Sequence, residues 1–305
     1  MKSASANCCV IIVTYNGKKW IEKCITSVLQ SKFPVDIIIV DNKSTDNTLD
    51  LIYSLCEPLK VIKSEENLGF GKANNAGVEY GYENGFDYFF LLNQDAYVQE
   101  DAIGHLIETL ESSAGIGILS PIHLNGAGST LDYGFKAGIK SKDLVSDYEA
   151  DNWSRKLYDV RFVNAAAWML SKASLKEVGL FHPIFFHYGE DKNYASRVKH
   201  HGLKITIDRR AFLCHDREKR GFNALKDDPF KNNDRETRQI ILNPFNPAFK
   251  PYLQLKSLNN MNLVTWGWKW GDKLSFVKKA MQNFNQIWYE FKAFGSKDYY
   301  PDSWK

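Results

Sequence analysis

The feature that most constrains the fold is a regular alternation of short, mainly apolar runs with segments of helical spacing. Four such runs occupy Cys8–Thr14, Val35–Val40, Leu59–Lys63 and Asp87–Leu92. Runs of this length, rich in β-branched residues, are typical of strands that are buried on both faces. Between the first two runs, apolar residues recur at helical spacing from Trp20 to Leu29. Strands that alternate with helices predict a mostly parallel sheet in an α/β domain.

The second half of the chain predicts fewer elements. Further strands are predicted at Arg161–Ser171, Lys204–Asp208 and Ala211–His215, and a helix is predicted from Glu190 to a capping glycine, Gly202. Near the C-terminus, an amphipathic helix is predicted from one apolar stripe, formed by Leu274, Val277, Met281, Phe284, Trp288 and Phe291.

Cysteine count and hydropathy exclude several classes of protein. The five cysteines are an odd number without a C-x-x-C pair, which argues against a disulfide framework and against a zinc knuckle. We expect all five to be buried apolar residues: Cys8, Cys9, Cys24, Cys56 and Cys214. The first apolar run is too short for a signal peptide, and no run is long enough for a transmembrane helix. We therefore expect a cytosolic protein.

Charge is distributed unevenly along the 305 residues. The net charge is +3, but the segment from Arg217 to Lys305 carries +7, so residues 1–216 carry −4. A basic, aromatic tail on a slightly acidic body indicates two functional regions. We expect no nucleic-acid partner for either.

Polar residues gather at the ends of the predicted strands. Thr14–Asn16, Asp41–Asn42, Asn93–Asp95 and His215 each follow an apolar run. A single aspartate in such a place is more often a turn or cap residue. Four polar ends at one edge of a parallel sheet predict a ligand site, because ligands bind beyond the carboxyl ends of the strands. Asp95 suits a hard cation that bridges a carboxylate and a phosphate.

Two common nucleotide signatures are missing. The stretch Gly69–Asn74 reads G-F-G-K-A-N, but Asn74 replaces the third glycine of a dinucleotide fingerprint. It also follows the third strand and not the first, so a nicotinamide oxidoreductase is rejected. The phosphate-loop pattern G-x-x-x-x-G-K-[ST] does not occur, which excludes that class as well.

The ordered motifs carry a more specific resemblance. V-I-I-V-T-Y-N-G, I-I-I-V-D-N-K-S-T-D-N-T, N-L-G-F-G-K-A-N-N-A-G and F-L-L-N-Q-D-A follow one another, and the series continues through V-N-A-A-A-W-M-L, F-F-H-Y-G-E-D and F-L-C-H. This series resembles the family-2 glycosyltransferases with a GT-A fold, in their rhamnosyltransferase-like branch. The resemblance implies an α/β GT-A fold: a single, mostly parallel Rossmann-like sheet flanked by helices, with a helical C-terminal extension. It implies a catalytic domain over residues 1–220, with a nucleotide-binding half at about 8–120 and an acceptor half at about 121–220. Residues 221–305 would form the basic, aromatic extension.

The resemblance assigns a nucleotide-sugar site. Asp41 would accept a hydrogen bond from the pyrimidine ring N–H, and the other residues that would contact the donor are Thr14, Tyr15, Asn16, Asn42, Ser44, Asn67, Gly69, Phe70, Lys72, Asn74, Asn93 and Gln94. Asp95 and His215 would bind a divalent cation, Mn²⁺ or Mg²⁺. Asn93 departs from the acidic D-x-D pattern, which leaves the strictness of metal dependence open.

The resemblance also assigns the chemistry. Asp191 would take the proton of an acceptor hydroxyl as that hydroxyl attacks the sugar directly, and Glu190 would orient Asp191 or the acceptor. Trp168 and His187 would line the acceptor or sugar pocket, with core packing as the alternative. For Arg197, pairing in the core and contact with phosphate are both open.

The resemblance also implies a class of donor and a class of acceptor, and the sequence suggests two roles for the C-terminal helix. The donor would be dTDP-rhamnose or a UDP-sugar, and the acceptor a glycan or a polyprenyl-diphosphate-linked glycan in surface polysaccharide synthesis. The C-terminal helix would pack on the catalytic domain or on a second subunit of a homodimer. The alternative is peripheral contact with the inner face of the cell membrane. A non-catalytic nucleotide-sugar-binding protein and a nucleotidyltransferase stay open as other functions.

Overall fold

The computed structural model describes residues 6–55, 57–58, 60–217, 229–245, 270–294 and 298–304. Within these residues, nine strands form one mixed sheet in the order β3-β2-β1-β4-β8-β6-β9-β5, and β7 pairs with β9. The strands are β1 Cys8–Thr14, β2 Asp36–Asp41, β3 Lys60–Lys63, β4 Tyr88–Asn93, β5 Ala96–Val98, β6 Ile116–Asn125, β7 Leu157–Val160, β8 Ala167–Ser171 and β9 Lys204–His215.

Helices cover both faces of the sheet. They are α1 Ile21–Leu29, α2 Thr48–Leu55, α3 Gly69–Glu83, α4 Ala102–Ser112, α5 Tyr133–Ile139, α6 Lys142–Glu149, α7 Lys172–Val178, α8 Glu190–His200, α9 Pro229–Ile241 and α10 Trp270–Phe294. A short 3₁₀ turn follows at Asp302–Trp304. None of the described helices is both long and apolar enough to cross a membrane.

Burial on both faces explains the apolar runs. Cys9 and Ile11 of β1 belong to one core cluster, beneath α3, α7 and α8. Val10 and Ile12 point to the opposite cluster, beneath α1, α2 and α4. Because alternate side chains of a strand point to opposite faces, both sets must be apolar. The four strands predicted in the first half are confirmed, and they pair in parallel around β1 and β2.

The antiparallel pairing within the sheet was not predicted, and it shapes the site. β8 is inserted antiparallel between β4 and β6. The short strand β5 pairs antiparallel with the end of β9, and its first residue, Ala96, lies opposite His215. This pairing holds the residue before it, Asp95, beside a histidine that is 120 positions away in the chain.

Three sequence predictions need correction. The strand predicted at Arg161–Ser171 begins only at Ala167. The two strands predicted at Lys204–Asp208 and Ala211–His215 are one strand, β9, whose register against β6 shifts between Pro121 and Ile122. Of the cysteines, Cys8, Cys9 and Cys24 are buried as predicted, Cys214 is only partly buried, and Cys56 lies outside the described residues.

The C-terminal helices pack on the body of the chain through a face that coincides only in part with the predicted stripe. A buried cluster joins these helices to the segment that leads to α8, and its members are Ile184, Phe185, Ile241, Leu242, Phe284 and Ile287. Leu274 and Met281 of the predicted stripe are instead exposed, by 73% and 44%. The stripe prediction is therefore only partly right, because Phe276 and Ile287 lie in the buried face in their place.

Residues 298–304 return to the same body. The Leu180 N–H donates to the Tyr299 carbonyl, at 2.8 Å. The ring of Trp304 stacks on Tyr82 of α3, with 4.0 Å between the ring centroids. The end of the chain thus covers the start of the loop that leads to α8.

Candidate nucleotide-sugar site

The ends of β1 and β2 form a rigid acceptor site around Asp41. Thr14 and Asp41 are register partners, and the Thr14 hydroxyl donates to Asp41 Oδ1 at 3.0 Å. The Ser44 N–H donates to Asp41 Oδ2 at 3.1 Å. A carboxylate has about four lone-pair positions, so Asp41 keeps acceptor capacity for a further N–H. This arrangement agrees with the role predicted for a pyrimidine ring.

The turn after β1 is held to the turn after β4. The Tyr15 N–H donates to Gln94 Oε1 at 3.0 Å, and Gln94 Nε2 donates back to the Tyr15 carbonyl at 3.2 Å. Asn16 has a positive φ of 47°, and its N–H donates to the Ser44 hydroxyl at 3.0 Å. The Tyr15 ring is 49% exposed. Gln94 therefore positions the turn, and the ring is accessible to a ligand.

The glycine-rich segment allows the backbone at Gly69 to lie close to the backbone at Phe186. Gly69 has a φ of +79°, and a Cβ built on it would lie 1.7 Å from the Phe186 carbonyl oxygen. Only glycine fits so close to another chain segment in this conformation. Asn42 Oδ1 accepts from the Leu68 N–H at 2.7 Å, and Asn67 Oδ1 accepts from the Gly69 N–H at 2.9 Å. These bonds join the end of β2 to the start of α3.

The other predicted residues of this segment differ in access. Asn74 is buried, and its Nδ2 donates to the Phe70 carbonyl at 2.9 Å within α3. The Phe70 ring meets Phe181 edge-on at 5.8 Å. Lys72 is exposed. Asn74 thus makes a bond inside its own helix in this structure, whereas Lys72 is free to approach a ligand from solvent.

Asp95 and His215 form the candidate metal centre. Asp95 Oδ1 lies 3.3 Å from His215 Nε2, and both side chains are almost fully buried. Two neighbouring ligands of an octahedral ion, each at about 2.1 Å, are about 3.0 Å apart, so the pair fits a divalent cation. In the part of the chain that the structure describes, no cluster of three or more His, Cys, Asp or Glu side chains suits a metal. Other ligands would therefore come from a phosphate or from water.

Arg217 was missed in the sequence analysis. Its Nε donates to His215 Nδ1 at 3.2 Å and lies 3.3 Å from Asp132 Oδ1. Asp132 is held in turn at the start of α5, where its Oδ1 accepts from the Phe135 N–H at 2.7 Å. The signal that could have revealed Arg217 is its position two residues after the predicted ligand His215.

Glu190 and Asp191 begin α8 in contrasting environments. Glu190 is 4% exposed, and its Oε2 has no hydrogen-bond partner among the described residues. Burial, and next the charge of Asp191, raise the pKa of Glu190 to about 8. Asp191 is only partly buried, and its Oδ1 accepts from the Lys192 N–H at 2.7 Å.

The pKa of Asp191 is also raised, by burial, while the positive charges of Lys192 and Arg217 act against the rise. Burial thus disfavours the charged form of Glu190, and the more accessible Asp191 is the better candidate for the residue that accepts a proton.

The remaining predicted residues fall mainly in the core. Trp168 is fully buried and stacks on Phe181, with 5.8 Å between the rings, which favours core packing for this side chain. Arg197 is fully buried and donates to the carbonyl of Val178 at 2.5 Å, so the structure decides for core pairing. His187 is partly exposed, with its ring 4.1 Å from that of Tyr188.

Comparison with known proteins supports the same assignment. Residues 9–179, more than half of the chain, match the family model Glycosyl transferase family 2. The chain therefore belongs to glycosyl transferase family 2. This confirms the family part of the resemblance, whereas the rhamnosyltransferase-like branch stays a prediction.

Two curated relatives are similar to the first part of the chain. A poly-beta-1,6-N-acetyl-D-glucosamine synthase of Staphylococcus aureus is 30% identical over 113 residues, which are 36% of this chain and 27% of the relative. The synthase of Staphylococcus epidermidis is 26% identical over 181 residues, which are 55% of this chain and 40% of the relative. The chain thus spans less than half of the length of these relatives.

Solved structures show the same fold at low sequence identity. Residues 1–349 of Staphylococcus aureus TarS, solved with UDP-GlcNAc, have a TM-score of 0.58 at 16% identity, covering 92% of this chain and 81% of that one. A mannosyltransferase of Pyrobaculum calidifontis, in complex with GDP-Man and Mn²⁺, has a TM-score of 0.58 at 16% identity, covering 95% and 76%. GalNAc-T7 with UDP, GalNAc and Mn²⁺ has a TM-score of 0.62 at 14% identity, covering 95% and 57%. The predicted α/β GT-A fold, with its helical C-terminal region, is confirmed.

Proposed function

We propose that this chain is an inverting, metal-assisted glycosyltransferase that moves a sugar from a nucleoside-diphosphate sugar to an acceptor hydroxyl. The observation that carries the proposal is the arrangement around Arg217. This side chain touches His215 of the Asp95–His215 pair, and its charge also acts on Asp191. Arg217 thus contacts the candidate cation-binding pair directly and acts on the candidate base only through its charge, which supports a site for transfer from a diphosphate.

Donor recognition begins at Asp41. Its carboxylate, held by Thr14 and Ser44, accepts the ring N–H that uracil and thymine share. Asp41 alone therefore fits both a UDP-sugar and dTDP-rhamnose. The UDP-GlcNAc complex of the TarS neighbour and the N-acetylglucosamine polymers made by the curated relatives support a UDP-sugar.

Asp95 and His215 would hold the cation, and the Mn²⁺ complexes of two neighbours support a divalent ion, Mn²⁺ or Mg²⁺. When bound, such a cation supplies positive charge against the departing diphosphate. Asn93 adds no charge beside this pair. The diphosphate must therefore provide oxygen ligands, so the cation and the donor are expected to bind together.

Asp191 performs the proton transfer. The acceptor oxygen attacks the anomeric carbon and forms the new glycosidic bond, while the bond between that carbon and the phosphate oxygen breaks. The hydroxyl proton passes to the carboxylate of Asp191, and the electron pair leaves with the nucleoside diphosphate. Attack opposite the leaving group inverts the anomeric centre, and a positioned base contributes about 10²–10⁴ in rate. Glu190 keeps its own proton and is therefore neutral, so no negative charge on Glu190 opposes the negative charge of Asp191.

Turnover of donor candidates tests this function against the alternative of a non-catalytic binding protein. Purified full chain, with Mn²⁺ and a panel of UDP- and dTDP-sugars, is screened for release of nucleoside diphosphate in the presence of glycan acceptors. We expect Asp191→Asn to bind UDP as the wild type does and to lose at least about 10² in turnover. A wild type that binds UDP but never turns over would support the binding protein, and unimpaired turnover by Asp191→Asn would remove Asp191 as the base.

The acceptor is proposed to be a glycan, either free or linked to a polyprenyl diphosphate, in surface polysaccharide synthesis. The buried face of α10 supports the packing role predicted for that helix. Leu274 and Met281, with Lys273, Lys278 and Lys279 nearby, are the residues that would meet an anionic membrane. Vesicle sedimentation of the wild type against Leu274→Asp/Met281→Asp tests membrane contact. Equal sedimentation of the two proteins would refute membrane contact through Leu274 and Met281.

A further inference from the structure

The hydrogen bond between Arg217 and His215 determines which ring nitrogen of His215 carries the proton. A guanidinium only donates hydrogen bonds, so His215 Nδ1, at 3.2 Å from Arg217 Nε, must be the acceptor. A neutral imidazole with an accepting Nδ1 carries its proton on Nε2. That nitrogen lies 3.3 Å from Asp95 Oδ1, a group that, when ionised, can only accept a hydrogen bond.

This tautomer cannot bind a metal ion at the same place. A cation between Asp95 and His215 needs the lone pair of Nε2, so the proton of the ring must then be on Nδ1. An Nδ1–H cannot accept a hydrogen bond from Arg217. The contact between Arg217 and His215 and the binding of a cation by His215 are therefore mutually exclusive.

We propose that Arg217 is a latch that holds His215 in its non-ligating form, and that the diphosphate of an incoming nucleotide releases it. The proposal rests on the proposed function for the identity of that anion. The Arg217 side chain is 41% exposed, so it can turn toward a ligand. Its anchor Asp132 is almost fully buried and keeps the guanidinium beside His215 when no anion is present. Arg217 is thus a positioning residue that makes the cation bind together with the diphosphate and weakly without it.

Binding of Mn²⁺ alone tests the latch. Electron paramagnetic resonance titration without nucleotide is expected to show about tenfold tighter Mn²⁺ binding by Arg217→Ala than by the wild type, because one charge-assisted hydrogen bond no longer has to be broken. Arg155→Ala is the matched control, since Arg155 pairs with Asp143 at the surface and should leave Mn²⁺ binding unchanged. Equal or weaker binding by Arg217→Ala would overturn the proposal.

A second measurement separates the latch from simple charge repulsion, because it observes the wild-type protein directly. The ¹⁵N shifts of the wild-type histidines, assigned with His215→Gln, report the tautomer of His215 in the metal-free full chain. We expect the Nε2–H form before addition of UDP and the diamagnetic cation Mg²⁺, and the Nδ1–H form afterwards. An Nδ1–H form in the metal-free protein would refute the latch. Neither measurement depends on sugar transfer, so a failure of the latch and a failure of the proposed enzyme activity can be told apart.

Discussion

Replacement of Glu190 by glutamine should stabilise the protein, and the effect should depend on pH. Burial raises the pKa of this carboxyl from 4.5 to about 8. A carboxyl with a raised native pKa contributes stability that is fully present below pH 4.5 and is lost as the pH rises toward 8, because only the unfolded chain can ionise it in that range. The difference in pKa corresponds to about 5 kcal/mol, to order of magnitude.

Glu190→Gln removes this pH-dependent loss of stability, because an amide does not ionise. The amide also has nearly the shape of the protonated carboxyl. At pH 5, we expect the variant and the wild type to differ in free energy of unfolding by less than about 1 kcal/mol. At pH 8, the variant should be more stable by about 4 kcal/mol. Urea unfolding at both pH values, followed by circular dichroism, measures the difference.

The control is Glu22→Gln, an exposed glutamate in the first turn of α1. This replacement should change the free energy of unfolding by no more than about 0.5 kcal/mol at either pH. A Glu190→Gln effect that is the same at pH 5 and pH 8 would refute the reasoning, since the carboxyl would then not be held protonated by its surroundings. The same variant should keep most of its transferase activity if Asp191 is the base.

Three further predictions concern binding and packing. Asp41→Asn should weaken UDP binding by about tenfold or more in calorimetry, since the amide can place a donor against the ring N–H; unchanged affinity would place the base elsewhere. His215→Ala should lower Mn²⁺ affinity in the presence of UDP, measured by paramagnetic resonance, and equal affinity would remove His215 as a ligand. Gly69→Ala should lower the free energy of unfolding by more than about 2 kcal/mol because its Cβ would collide with backbone. Gly85→Ala, at a φ of +86° with nothing within 4 Å, should cost only about 1–2 kcal/mol for its conformation; equal costs would show that the close approach is unimportant.

Several site residues could be predicted because their signal is local. Asp41 and Asp95 each follow a buried strand or its turn, so their place at the carboxyl edge of the sheet follows from the apolar run before them. Gly69 could be recognised as a special position, although the reason for it could not. A collision with the Phe186 carbonyl depends on a segment that is 117 positions away.

Other residues could not be placed from local pattern. Trp168 lies in an apolar strand that could face either a pocket or the core, and only the stacking on Phe181 decides. Arg197 is a cation on a polar helix, and only the carbonyl of Val178 shows that it is buried. The face of α10 that packs was also shifted from the predicted stripe, because Ile184 and Phe185 determine which side is covered.

The sequence by itself determined the four parallel strands, the polar ends of those strands and the order of the family motifs. These features depend on periodicity and on neighbours along the chain, which local hydrophobic pattern encodes. Only the tertiary structure decided that Asp95 meets His215, that Arg217 contacts the imidazole, and that Glu190 is buried with no partner for its second oxygen among the described residues. Those contacts arise where segments distant in the chain pack together. The free energy of each contact depends on its burial and on the distance between its atoms, and no single stretch of sequence determines either quantity.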